Sequence, residues 1–293
     1  MKLLVLGGSG LIGNALLKNS KNEFDILTTF YKNHISIKNV RSFQYSFPND
    51  LNNLRELLEK EKPDVLVNTM GYSNIDFCEL NKSDTEMLHV EVTEKICKLC
   101  ENIGTKQIFL SSDYVFDGEK GNYSETDVPN PVNYYGLSKL KAEQLILKNP
   151  INTVIRTSVI YDWDYRARFF NSVIKNLQNN QEINATTDVY NSVTFLDNLV
   201  ESIFKVITLN QNGIFHVVDS ACVNRFEFAE MIAKIFRLDK NLIKTVSVQD
   251  EPKNIAKRPK NACLNNSKAK KELGLNFNTI EEGVSRVFMK SQL

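Results

Sequence analysis

The 293-residue sequence has no long apolar run, no surplus of either charge, no internal repeat and no low-complexity linker. Its most continuous hydrophobic stretches, such as Val65-Leu66-Val67 and Gln107 to Leu110, fall far short of the roughly 20 residues a membrane span needs, which excludes a helical membrane protein. Lys and Arg number 36 against 35 Asp and Glu, so nothing in the overall charge would neutralise a phosphate backbone, and nucleic acid is excluded as the principal partner. Twelve glycines are too few for a collagen-like chain, and 42% hydrophobic residues with 24% charged ones exclude wholesale disorder. Histidine is scarce: His34, His89 and His216 lie far apart, none reads as a ligand, and no carboxylate cluster demands a metal, so no metal ligand is named and the need for a metal stays undecided.

Cysteine is also sparse. Cys78, Cys97, Cys100, Cys222 and Cys263 form an odd number spread thinly over a long chain, so the expectation is reduced thiols in a cytoplasmic protein rather than a disulfide frame. Cys97 and Cys100 have CxxC spacing, but they fall in a helical stretch without a second Cys or His pair and read as buried thiols. The N-terminal apolar run Leu3 to Leu6 stops at four residues, below the roughly 7–15 of a signal core, so export is not expected.

What is present is an alternation of short apolar runs and helical periods. Lys2 to Leu6, Asp25 to Thr29, Asp64 to Asn68 and Gln107 to Leu110 read as strands buried on both faces. Leu11 to Lys18, Leu51 to Glu59, Ser83 to Asn102 and Tyr135 to Leu147 have helical spacing, with Asp50 and Ser83 as candidate caps. Strand, helix, strand with right-handed crossovers predicts an α/β fold, a Rossmann-like doubly wound parallel sheet. Past about Val159 the strand signals thin to Ile214–Val218 and Thr245–Val248, while Phe169 to Leu177, Leu196 to Ile207, Arg225 to Phe236 and Ile280 to Phe288 read as helices. A smaller, mostly helical substrate domain is therefore expected over 156–187 and 211–293. It would interleave with a dinucleotide-binding domain over 1–155 plus about 188–210.

Two motifs carry chemistry. Gly7-Gly8-Ser9-Gly10-Leu11-Ile12-Gly13 follows a strand and opens a helix. Glycines at 7, 10 and 13 permit the turn, the approach of a pyrophosphate to backbone amides and close helix-strand packing, so residues 7–13 are the expected dinucleotide cradle. The acidic residue that would take the ribose 2′-hydroxyl of NAD is missing: the second strand runs into Tyr31-Lys32-Asn33-His34. Lys32, helped by His34, could instead meet a 2′-phosphate, which leans the cofactor towards NADP with NAD as the alternative, and Tyr31 beside it is a further cofactor-binding candidate. The second motif is Tyr135-Gly136-Leu137-Ser138-Lys139, whose i, i+4 spacing puts a phenol and an ammonium on one helix face, where the cation favours the phenolate. Tyr134 has Ser138 as its i+4 partner and cannot fill this role equally well. Upstream, Ser111-Ser112-Asp113-Tyr114 places hydroxyls at the strand end where ligands of doubly wound sheets bind.

Together these motifs, with Leu110 to Gly118 read as L-S-S-D-Y-V-F-D-G, resemble the extended short-chain dehydrogenase/reductases, and within them the dTDP-4-dehydrorhamnose reductase branch. Lys62-Pro63-Asp64 with Asn68, Asp76 with Glu79, Pro129-Asn130-Pro131, Arg156-Thr157-Ser158 and Arg258 to Lys268 extend the likeness over almost the whole chain. The resemblance implies a catalytic set of Ser112, Tyr135 and Lys139, with Lys139 also holding the nicotinamide ribose, so that Tyr135, Lys139 and Asn68 are all expected at the cofactor. It further implies Asp113, Val115, Phe116 and Arg258 at a nucleotide-linked 4-keto sugar, with Arg258 on its diphosphate. A homodimer is common in the family. The chain departs from the branch at Val159-Ile160-Tyr161-Asp162, at Asp188 to Thr194 and at Phe77; several of these positions border the sugar-nucleotide pocket in the family, so the sugar or the nucleotide is open. Two other functions stay open: a nucleotide-sugar epimerase or dehydratase on the same scaffold, and a non-catalytic regulatory subunit similar to that of methionine adenosyltransferase. Asp113 is followed by Tyr114 and not by a second acid, which speaks against the dehydratase. Lys253 to Arg258 and Lys268 to Lys271 form a locally basic stretch.

Overall fold

The computed structural model describes residues 1–20, 23–248, 250 and 255–292, so Lys253 of the basic stretch lies outside the described residues. Two compact units divide the chain: Met1–Ser112, Tyr134–Arg156 and Val200–Phe215 form the first, and Asp113–Asn133, Thr157–Leu199 and His216–Leu293 the second. The segment after Ser112 thus leaves the first unit at once and returns at Tyr134.

The first unit is built on a seven-stranded parallel sheet. Its strands are β1 (Lys2–Leu6), β2 (Asp25–Phe30), β3 (Val40–Gln44), β4 (Val65–Asn68), β5 (Lys106–Ser112), β6 (Thr153–Thr157) and a last strand, Gly213–His216. The order across the sheet is the last strand, then β6, β5, β4, β1, β2 and β3. β1 pairs Leu4 with Leu27 on one side and with Leu66 on the other, so the chain reverses direction of winding beside β1. Leu4, Leu6, Leu27 and Leu66 are buried against Leu54, Leu57 and Leu58 of α2 (Leu51–Glu61), which follows α1 (Leu11–Asn19) in the chain. Each large apolar side chain so buried contributes about 1.5–3 kcal/mol, and this two-sided burial is why the strands are apolar throughout.

Ser83 to Asn102 is helical throughout, with one π turn inside it. After α3 (Ile75–Leu80) come α4 (Lys82–Glu86), a single π-helical turn over Met87–Glu91, and α5 (Val92–Ile103). The π turn is closed by the Val92 N–H bonding to the Met87 carbonyl, an i to i+5 bond that admits one extra residue. Neither expected cap acts: Ser83 lies inside α4, and the Asp50 carboxylate accepts from the Ser46 N–H and the Asn53 amide instead. Two strands had too little apolar signal to be read. β3 is a half-exposed edge, and β6 holds the buried Arg156, whose charge is met by both oxygens of Glu143 on α6 (Tyr134–Ile146) at 2.9 and 2.7 Å.

The second unit joins helices Arg168–Gln178, Arg225–Phe236, Ser267–Leu273 and Ile280–Lys290 to three two-stranded pairings: Ile160–Tyr161 with Thr194–Phe195, Tyr190–Ser192 with Cys222–Asn224, and Ile183–Thr186 with Ile243–Val246. Its core is aromatic, with Phe170, Phe195 and Phe228 around Tyr161. The Tyr161 hydroxyl donates to Asp219, which also accepts from the Phe195 N–H and the Asn198 amide. The expectation of five reduced thiols is corrected here. Cys222 and Cys263, with Cα atoms 5.6 Å apart across 41 residues, form a disulfide, because the pairing of Tyr190–Ser192 with Cys222–Asn224 and the bridge from Tyr190 to Asn261 bring the two segments together. Cys78, Cys97 and Cys100 are free.

Candidate active site

The glycine turn has the geometry a phosphate cradle requires. Gly7 takes φ +85°, open to glycine at little cost, and its carbonyl accepts from the Gly10 N–H at 2.9 Å. A Cβ on Gly13 would press into the Gly7 carbonyl and lie 2.7 Å from the Gly8 Cα, so α1 can start this close to β1 only with glycine there. Gly10 precedes α1 without a capping side chain, and the helix N-terminus carries its positive end behind Ser9, Leu11 and Ile12. A backbone cradle that side chains would fill, at the end of the central strand, fits a dinucleotide pyrophosphate. Gly8 is equally constrained, since a Cβ would collide with Thr28, a requirement that the spacing of 7, 10 and 13 does not include. At the end of β2 the chain runs into Tyr31, 56% exposed, with the Lys32 ammonium 5.0 Å above its ring and no carboxylate between Tyr31 and His34. Asn68, the last residue of β4, is buried and its amide oxygen accepts from the Met70 N–H.

The catalytic candidates lie on β5 and α6. Ser112 is the last residue of β5. Lys139, buried on α6, donates to the Leu110 carbonyl two residues earlier at 3.1 Å and stands 4.9 Å over the Phe109 ring, so the helix face that carries Tyr135 is tied to that strand end. Burial pulls the Lys139 ammonium down to about 8, against the opposing pull of Cys78 and Glu143. A lysine in this range holds its charge at neutral pH and is still able to exchange a proton. Tyr134 is occupied otherwise: its hydroxyl donates to Glu86 at 2.7 Å, and burial, with Glu86 second, pushes it up to about 12. The Tyr134 N–H, at the start of α6, donates to Glu79.

The four residues the resemblance places at the substrate lie in the second unit. Asp113 is buried in the 3-10 turn after β5, and one of its oxygens accepts from Ser158 at 2.6 Å and Asn191 at 2.8 Å. Val115 and Phe116 are fully buried, Phe116 stacked on Tyr123 at 4.2 Å, so their side chains serve the core. Arg258 lines a cavity of about 700 Å³ with Asp117, Asp188, Lys257 and Lys260.

Two residues escaped the sequence reading. Arg225 opens its helix with the guanidinium 4.6 Å from the Phe169 ring, and burial lowers its pKa, with Asp113, Tyr114 and Arg258 acting on its charge. A cation at a helix N-terminus opposes the macrodipole, which was the one available signal. His89 lies in the π turn and touches Tyr135 edge to face, with ring centroids 6.1 Å apart. Nothing in its sequence surroundings marked it.

A doubly wound parallel sheet with a glycine cradle after its first strand defines a Rossmann-like α/β protein. The chain belongs to the RmlD substrate binding domain family, whose pattern matches residues 1–293. It is similar to a solved hypothetical dTDP-4-dehydrorhamnose reductase from Sulfolobus tokodaii, with 32% identity, 97% of this chain and 99% of that one covered, and a TM-score of 0.86. The dTDP-4-dehydrorhamnose reductase of Bacillus anthracis in complex with NADP shares its fold, at 23% identity, 99% coverage of both chains and a TM-score of 0.88. Methionine adenosyltransferase 2 subunit beta of Bos taurus is 27% identical, over 91% of this chain and 81% of that protein.

Proposed function

We propose that the protein is an NADPH-dependent reductase of a nucleotide-linked 4-keto sugar, a short-chain dehydrogenase/reductase of the dTDP-4-dehydrorhamnose reductase type, with a cytoplasmic setting and a homodimeric state as further parts of the reading. The observation that carries it is the tie from Lys139 to the Leu110 carbonyl, which brings the Tyr135 face of α6 to the strand end bearing Ser112. When bound, the reduced nicotinamide supplies the hydride. The turn of residues 7–13 holds the pyrophosphate, and Lys32 meets the 2′-phosphate as a point charge. Ser112 donates a hydrogen bond to the keto oxygen, Tyr135 gives that oxygen its proton, and Lys139 keeps the phenol acidic enough to do so. Arg258 grips the diphosphate, a task that suits a planar guanidinium. The name of the Sulfolobus tokodaii relative and the NADP in the Bacillus anthracis structure support substrate class and cofactor.

The test is NADPH oxidation with a panel of 4-keto sugar nucleotides. Oxidation with dTDP-4-dehydrorhamnose or a close analogue is expected. Interconversion of sugars without net oxidation would make the protein an epimerase. The likeness to methionine adenosyltransferase 2 subunit beta favours a second reading, a non-catalytic regulatory subunit. NADPH that binds and is never oxidised by any member of the panel would establish it.

A further inference from the structure

We propose that His89 is a positioning residue for Tyr135, holding the first turn of α6 through Ser138; this rests on the reading of Tyr135 as the proton donor. The imidazole is 2% exposed and bonded at both nitrogens. The Tyr72 N–H donates to Nε2 at 2.8 Å, so Nε2 is the acceptor and the proton resides on Nδ1. Nδ1 then donates to the Ser138 Oγ at 2.8 Å, and the Ser138 hydroxyl hydrogen is left to the Tyr135 carbonyl, also 2.8 Å away. Three hydrogen bonds of one polarity therefore run from the loop after β4 to the backbone of Tyr135. The same imidazole packs edge to face on the Tyr135 ring, which fixes the side chain as well as the backbone.

The surroundings are shaped for this contact. His89 sits in the π turn, and Gly71 leaves room for its ring: a Cβ there would stand 2.9 Å from Nε2 and 3.2 Å from the Lys139 Nζ. Imidazole and ammonium thus converge on one glycine. Burial, with Lys139 second, holds the His89 pKa down to about 2, so the ring stays neutral and the tautomer set by Tyr72 persists. A neutral ring in that place adds no second positive charge beside Lys139.

The test compares His89→Phe and Ser138→Ala with wild type and Tyr135→Phe. His89→Phe keeps a ring and deletes both nitrogens; Ser138→Ala breaks the same chain by one hydroxyl and covers the case that the first variant does not fold. Tyr135 ionisation is read without substrate, as tyrosinate absorbance of each protein minus that of its Tyr135→Phe counterpart. Release of the first turn should let the phenol drift from Lys139 and raise its pKa by about one unit. With NADPH and the keto-sugar substrate, kcat should fall about 10- to 100-fold while KM stays within about threefold. A purely structural His89 would lower the melting temperature and leave Tyr135 ionisation unchanged, and that result overturns the proposal. If wild type oxidises no NADPH with any keto sugar, the functional reading fails, while the titration still decides whether His89 governs Tyr135.

Discussion

The two units meet different physical demands. In the first, the groups that carry the two sequence motifs are set by local rules, with His89 the exception: a glycine at a tight turn, an i, i+4 pair on one helix face, a serine at a strand end. In the second, groups are set by partners far away in the chain, as where Asp113 is held by Ser158 and Asn191, Asn133 donates to the Lys257 carbonyl, and Cys222 bonds to Cys263. The departures from the branch pattern at Val159 to Tyr161 and Asp188 to Thr194 fall in this second kind of structure.

The largest expected effect tests the local side of that contrast. Tyr135→Phe should lower kcat by about 10³-fold or more, the scale of a lost general acid, and leave NADPH binding, read by fluorescence titration, within about threefold. Retained turnover would mean that the helix-face pair carries no chemistry.

The next effect tests the distant side. Cleaving Cys222–Cys263, by Cys222→Ser or by a reductant, frees a loop of 41 residues and should cost about 3–4 kcal/mol in the chain-entropy account. Trp163, the one tryptophan of the sequence, lies in the second unit and stacks on Phe236. Its fluorescence should therefore lose its midpoint at lower urea, with Cys97→Ser as a control that moves it little. Equal shifts for both variants would show that the bond does not constrain the second unit.

The same contrast explains what was legible beforehand. The central strands, the cradle of residues 7–13 and the Tyr135–Lys139 pair follow from periodicity and spacing, and each stands as an element or a turn where the sequence puts it. The disulfide was not legible, because nothing local to Cys222 or Cys263 shows that strand pairing through Tyr190 joins them. His89 was missed for a similar reason: an i to i+5 turn has no sequence signature, and the ring's partners lie 17 and 49 residues away. Arg225 reads from the sequence as an ordinary helix residue, although its charge opposes the helix dipole.

Lys32 returns to the local side with a smaller effect. Its ammonium is exposed at the end of β2, so its pull on a 2′-phosphate is partly screened. Lys32→Ala should weaken NADPH about tenfold, roughly 1.4 kcal/mol, and leave NADH unchanged in competition binding. Equal losses for both cofactors would remove the 2′-phosphate role from this residue.

A last effect, graded with pH, sets the units directly against each other. His89 in the first unit is held at about 2, far below the ordinary 6.5, so the unfolded chain takes up a proton that the folded unit refuses. The stability it contributes is present above about pH 6.5 and declines as pH falls, by about 1.4 kcal/mol per unit at most. Asp219 in the second unit has the opposite sign: burial raises it to about 6 from 3.8, so between these values the folded unit holds the proton more tightly and stability falls as pH rises. Between about pH 4 and 6, acid should weaken the first unit, read by hydrogen exchange of the β1 and β4 amides corrected for intrinsic rates. Over the same interval acid should strengthen the second, read by the Trp163 urea midpoint. Ser138→Ala should leave the Trp163 profile unchanged, and Asp219→Asn should flatten it. Parallel profiles in the two units would show that one cooperative transition governs both and that their separate origins in local and distant contacts have no thermodynamic counterpart.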